Sequence, residues 1–430
     1  MKMRREVLKL LILLCSVFTT TVGLGQTTYT WTGAGDGTNL ATPGNWTTNG
    51  STPAVTLPNG TYLDTAQWDG VTTTNLIITY GTVSLPGTGF GTFGINLVLT
   101  ANQTNSVQII SAATPSAAIG LFGINIASGA GAFTLGNNTP NNLLLMGRPA
   151  GAVHHFVNNS TNPVTLNPSI EWEAGGGNGY TYDFGGTGNW IVNTYLMPLD
   201  GAFSVSPIMV DGPGTVFWSA GKTGVYNPNA PLGPVTINGG ALVIKSAGLF
   251  TGTANQAITN NAIFVFDAAS QSQTLNGIIS GPGQLIVSNG TLMLAGTNTY
   301  TGNIFLSGGE LIVASAENPG TSGPLGVTNT ISSNGGTLGF SVNNTFDYSS
   351  RFSAPPRSLR RTPPPSAGGS GNSYVLAPAA ARAPAPHRCR SSATSRRSVD
   401  RSASPPACRR SGTRRAATAP GRGAIHRTLR

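Results

Sequence analysis

Two glutamates lying two residues apart, Glu171 and Glu173 in IEWEAGG, are the residues of this chain best spaced for acid–base work. On a β-strand alternate side chains share a face, so both carboxylates would project to one side about 6 to 7 Å apart, with Trp172 on the other. Glycoside hydrolysis requires such a pair, one carboxyl protonating the leaving oxygen while the other acts at the sugar carbon or on water. Tyr180, Tyr182, Asp183, Trp190 and Tyr195 follow closely and make this the most aromatic part of the body, its tyrosine and tryptophan rings suited to stacking on sugars. The plainer reading is two solvated glutamates outside and a tryptophan in the core, because an i, i+2 acidic pair is common on a half-exposed strand. The sequence favours the plainer reading.

Other residues with chemical potential resolve in the same direction. His154 and His155 are adjacent, so on a strand they face opposite ways and cannot ligate one ion without a bulge; a turn or surface position is expected. Gly33-x-Gly35-Asp36-Gly37 is similar to one calcium-binding nonapeptide, but those sites arise from many stacked copies and here there is one. Lys222 in AGKTG lacks the preceding glycine and following helix of a phosphate loop. Ser219 and Ser307 have no His or Asp in a sequence context that marks a nucleophile. Polyuronate lyases need Lys or Arg, and residues 26–350 contain only Arg148, Lys222 and Lys245. No catalytic, cofactor-binding or metal-ligating residue is therefore assigned, and a non-catalytic protein is expected.

The elements that position these residues follow from how charge and apolar residues are distributed. The net charge of the 430-residue chain is +10, but seventeen of its 24 basic residues follow residue 350. Residues 26–350 hold three basic against twelve acidic residues, a net of −9, which excludes the phosphate neutralisation that dominates nucleic-acid affinity. Residues 1–25 combine Lys2, Arg4, Arg5 and Lys9 with the apolar run LKLLILLCSVF and then Gly23-Leu24-Gly25, the pattern of a secretory signal peptide. No later apolar run reaches the length of a membrane-spanning helix, so none is expected in the mature chain. The three cysteines are Cys15, Cys389 and Cys408, so disulfides do not hold the body together.

A repeat organises that body. The 37 residues from Gly212 overlay those from Gly281 without gaps at an offset of 69, with twelve identities that include Gly-Pro-Gly at the start and Gly239-Gly240 over Gly308-Gly309. SGGELIV at residues 307–313 recurs 27 positions later as NGGTLGF. Leu285/Val287, Leu292/Leu294, Ile304/Leu306 and Leu311/Val313 alternate at period 2, each pair facing one core. A period in the twenties predicts one β-solenoid rung, with 69 as three of them. One rung cannot bury its apolar face alone, whereas stacked rungs bury a continuous column. Almost no helix is expected after the signal.

Trp31-x-Gly33-x-Gly35-Asp36-Gly37, Asn45-Trp46 and Asp64-x-Ala66-x-Trp68-x-Gly70 at the N-terminus accompany Leu294-Ala295-Gly296-x-Asn298-x-Tyr300-Thr301-Gly302 and Gly308-Gly309-x-Leu311. On these motifs the chain resembles bacterial autotransporter-associated β-strand repeat proteins over residues 27 to about 353, with Leu40 where another tryptophan is expected. The resemblance implies an exported β-helical passenger, surface-associated or secreted, and is uninformative about ligand. The function expected is structural or adhesin-like and non-catalytic, with shallow contacts to glycans or cell-surface and matrix components.

The expected architecture is all-β. It consists of a signal peptide (1–25), a Trp-rich β cap with the first rungs (26–110), a parallel β-solenoid (111–350) with repeats at 212–248 and 281–317, and a disordered Arg/Pro/Ala-rich tail (351–430). The tail has seventeen Arg, no Lys and one acidic residue, with no apolar alternation to bury. It reads as a basic linker, as an anion-binding segment, or as a GC-rich gene translated out of frame from about residue 353, the last being favoured. A solenoid ending there would leave its last rung uncovered and prone to self-association.

Overall fold

Alternations such as INLVL, VTI and IFL put every second side chain on one face, and here that face is turned into a shared interior. The computed structural model describes residues 27–48, 52–53, 64–70, 74–80, 95–111, 117–137, 143–147, 153–167, 170–174, 181–193, 207–219, 233–245, 256–353, 359–362 and 371–376. The signal segment, Tyr180, Tyr195 and Lys222 lie outside them, as does all of 381–430. Among the described residues the helical elements are short 3₁₀ turns such as Pro43–Asn45 and Ser349–Arg351, and no helix is long and apolar enough to cross a membrane.

Two long sheets of mostly parallel strands run the length of the body, and the chain alternates between them, which makes a parallel β-solenoid. In the first sheet, Thr181–Gly185, Ile208–Val210, Val235–Ile237, Ile258–Asn260 and Ile279–Ser280 stack in order. In the second, Trp190–Val192, Thr215–Trp218, Ala241–Ile244, Ile263–Leu275, Gln284–Leu294 and Ile304–Leu306 do the same. Stacking in register forms inward columns such as Trp190, Val216, Leu242, Phe264, Leu285 and Ile304, all essentially without solvent contact. Each such side chain contributes about 1.5 to 3 kcal/mol relative to exposure. All four alternating pairs from Leu285/Val287 to Leu311/Val313 are in this core.

Rung lengths vary around the expected period. Thr215 stacks under Ala241, Ile263 and Gln284, which are 26, 22 and 21 residues apart in turn. The offset of 69 thus spans three rungs in this sheet. Glu310 pairs with Thr337, so SGGELIV and NGGTLGF are direct neighbours. The second half of the longer repeat behaves differently: Val235–Ile237 lies in the first sheet, whereas its sequence counterpart Ile304–Leu306 lies in the second. The rung from Leu285 to Ile304 is only 19 residues, and the shortening moves each following segment one side around the coil. Strand Ile263–Leu275 turns a corner at Ser270, at φ 60, and its second half stacks on residues 291–294 to form a further side.

Glycine is required where rungs approach most closely. A Cβ on Gly240, at φ +54, would lie 1.9 Å from the Gly214 carbonyl oxygen, and one on Gly302 1.8 Å from that of Gly283. These contacts account for Gly240 in the first repeat copy and Gly302 in the second.

The start of the solenoid is a tryptophan cluster, as expected. Strand Thr28–Trp31 pairs in parallel with Thr65–Trp68 and antiparallel with Trp46–Thr48, which closes the first sheet's leading edge. Trp31 and Trp46 meet edge to face at 5.0 Å, and Trp46 and Trp68 at 5.5 Å, all fully buried. Leu40 is buried too, and its carbonyl accepts the Trp46 indole N–H at 3.0 Å. The same loop covers the second sheet, since Leu40 N donates to Thr79 O and Thr79 N to Thr38 O.

At the other end the body continues through residue 353. Arg351 has the composition of the tail, yet its guanidinium donates to Leu325 O at 2.6 Å and Asn329 O at 3.2 Å, contacts Asn329 Oδ1, and pairs with Glu317 at 3.4 Å. Tyr348 donates to Glu317 at 2.6 Å and lies under the Arg351 guanidinium. Strands Leu359–Thr362 and Gly371–Leu376 pair antiparallel with each other, and the latter pairs with Thr337–Ser341 of the last rung. A free strand edge is a template for whatever chain lies near it, and here that chain is the tail.

Candidate functional site

Among the polar side chains described outside the core, one ladder runs along each sheet. On the first, His155 from strand Val153–Asn158 stacks beside Asp183 of Thr181–Gly185, with Nδ1 2.7 Å from Oδ2. Asp211, just past Ile208–Val210, accepts from Asn238 Nδ2 at 2.7 Å, and Asn238 Oδ1 accepts from Asn261 Nδ2 at 2.9 Å. On the second sheet, Asp267 accepts from Lys245 through Oδ2 and from Asn289 through Oδ1, its partners on the two adjoining rungs.

Electrostatics separate the two. Burial raises the Asp183 carboxyl above its ordinary value; the His155 contact opposes this and the nearby Asp211 adds to it. Its Oδ1 is buried with no hydrogen-bond partner among the described residues. For Asp267, burial also acts to raise the value, but the Lys245 and Asn289 bonds outweigh it and hold the carboxyl below the usual range.

The residues singled out by sequence fall into place around these ladders. Glu171 and Glu173 lie on strand Ile170–Ala174, in register with Leu144 and Met146 of Leu143–Gly147. Two of the rings expected to stack on sugars are turned inward: Tyr182 and Trp190 are 2% and 1% exposed and pack against Phe156 inside the solenoid, while Tyr180 and Tyr195 lie outside the described residues. The histidines are on a strand, not a turn. His154 is buried and stacks on Tyr182 at 5.7 Å, while His155 points out with most of its side chain in solvent. The opposite facing of adjacent strand residues is thus realised.

Asp36 organises its own loop. Oδ1 accepts from Thr38 N, Asn39 N and Asn45 Nδ2, and Oδ2 from Thr42 Oγ1 at 2.6 Å. The Thr42 bond leads these in depressing its carboxyl well below the usual range. With both oxygens engaged by donors of its own loop, Asp36 has the surroundings of a turn-forming aspartate, not of a cation ligand. Ser219 and Ser307 are exposed just past strands Thr215–Trp218 and Ile304–Leu306. Among the described residues no group of three or more His, Cys, Asp or Glu is arranged to hold a metal ion.

Sequence reasoning missed the His155–Asp183 pair. The partners are 28 positions apart, so local spacing carries no trace of them; only alignment at one rung period brings them together. Comparison with family models, with curated proteins and with solved structures finds no match to this chain.

Proposed function

We propose that the chain is an exported, non-catalytic β-solenoid passenger of the autotransporter-associated repeat kind, which presents an extended, protease-resistant surface to glycans or matrix components. The observation that supports this most is what the exterior polar groups do. Asp211, Asn238 and Asn261, and likewise Lys245, Asp267 and Asn289, bond along the stack from rung to rung, so they hold the solenoid together instead of converging on a pocket. A surface of that kind recognises partners by shallow, repeated contacts. Export rests on the signal-like residues 1–25.

The enzymatic alternative centred on Glu171 and Glu173 loses support, because Tyr182 and Trp190 belong to the core. Release of reducing ends from a panel of polysaccharides separates the two readings. No release is expected from the parent protein; release that disappears in Glu171→Gln or Glu173→Gln overturns the proposal. Resequencing the gene across codons 340–365 tests the frame reading of the tail: resumption of Gly-x-Leu-x-Leu repeats in another frame is the expected result.

A further inference from the structure

The two sheets differ in what they show to solvent. In the first sheet the outward column through Asp183 continues as Met209, Thr236, Thr259 and Ser280, mostly polar as a solvated face should be. In the second, the outward column over six consecutive rungs is Ile191, Phe217, Val243, Val265, Ile286 and Phe305. Val243 is 7% exposed and the others are partly exposed. At one rung per 4.8 Å the stripe is about 24 Å long. Nothing in solenoid stacking demands apolar residues there, since Thr134 and Thr165 occupy the same column in earlier rungs and Ser332 in a later one.

We propose that this stripe is the interface of a two-fold dimer, two copies of the chain lying antiparallel with their second sheets face to face. The order of the residues carries the inference. A two-fold axis along the strands, between the rungs of Val243 and Val265, sets Ile191 against the partner's Phe305, Phe217 against the partner's Ile286, and Val243 against the partner's Val265. Each large ring meets an aliphatic chain, and the small residues meet at the centre.

The flanking columns obey the same symmetry. On one side Ala241 meets the partner's Ile263 and Thr215 the partner's Gln284; on the other, Lys245 meets the partner's Asp267. The face is thus self-complementary in size, polarity and charge, as an isologous contact must be. Its footprint, roughly 24 by 14 Å, is well short of the ~800 Å² per partner of a standard stable interface, so the dimer is reversible.

Sedimentation velocity of the full chain over about 1 to 100 µM tests this, with small-angle scattering to distinguish side-by-side from end-to-end pairs. The expected result is a concentration-dependent, closed, side-by-side dimer. Phe217→Thr with Ile286→Thr, the residue the column itself uses elsewhere, lowers the association constant at least tenfold with the circular dichroism spectrum unchanged. Lys245→Asp, which also breaks the bond to its own chain's Asp267, weakens the dimer, and adding Asp267→Lys, which remakes both the internal and the intermolecular pair, restores it with the circular dichroism spectrum unchanged. A monomer at every concentration overturns the proposal. So does association that the threonine pair leaves unaltered, or open-ended growth through the terminal rungs.

Discussion

Asn298→Leu tests how the repeat motif works. Asn298 is fully buried, and its side chain spans two rungs: Oδ1 accepts the Ile279 N–H and Nδ2 donates to Pro324 O, both at 2.8 Å. Its backbone exchanges a further pair of bonds with Gly323 at 3.0 Å, and these survive the substitution. Leucine fills the volume but leaves one donor and one acceptor buried without partners, each costing about 1 to 3 kcal/mol, so a loss of about 4 kcal/mol is expected. Because a solenoid is coupled only between neighbours, the loss is local: the rungs after residue 298 should uncouple and melt before the rest. Urea unfolding followed by circular dichroism, with hydrogen exchange at the Ile279 amide, reads both effects. Asn303→Leu is the control, since Asn303 is exposed and its side-chain Oδ1 accepts from the exposed Thr330, while its backbone bond to Leu285 survives the substitution, and its effect should stay within about 0.5 kcal/mol. A loss below about 1 kcal/mol for Asn298→Leu, or equal losses for both variants, refutes the reasoning.

Three further outcomes are expected. Arg351→Met strands the Glu317 carboxylate, whose side chain is only 4% exposed, at a cost of about 3 to 5 kcal/mol; a chain ending at Ser350 should show the same loss, and one ending at Ser353 should not, by thermal melting. For Asp183 the folded carboxyl titrates above its ordinary 3.8, so it costs stability above the raised value, and this is relieved as pH falls toward 3.8; Asp183→Asn should flatten urea midpoints across that window and be neutral or stabilising at pH 7. Asp36 is the opposite case, its stabilisation present above the ordinary carboxylate value and lost only as pH falls through the depressed one. Asp36→Ala should loosen the cap at neutral pH, seen as a red shift in tryptophan emission and an earlier first melting step.

Period-2 alternation at residues 285–313 was enough to place eight core residues and the solenoid itself, because a stacked rung repeats its inward positions. The Trp31, Trp46 and Trp68 cap was legible for a related reason: large apolar residues among Gly, Pro and Asn turns have nowhere to go but a shared interior. What stayed hidden depended on rung length. Val235 and Ile304 align in sequence but sit on different sheets because a 19-residue rung intervenes, and no local signal marks that shortening. The same uncertainty of phase concealed the partnership of His155 with Asp183. It also made Tyr182 and Trp190 look available for ligand when they are core. Arg351 misled through its type, since composition alone assigns it to the tail, while its five donors are what the buried Glu317, Leu325 and Asn329 acceptors require.

The tryptophan cap also sets the order in which this molecule can form. Its three rings come from the first 68 residues, so a chain emerging amino-terminus first completes its seed before most of the solenoid has been made. Each later turn then needs only the 19 to 32 residues between stacked partners, from Leu285 to Ile304 at the shortest and from Gly123 to His155 at the longest, to find a finished edge on which to condense. Loop closure over so short a span is fast, and no contact must wait for the distant carboxyl terminus. Growth of this kind is a zipper running in the direction of synthesis, and deletion of residues 27–48 should slow it far more than deletion of any single later turn.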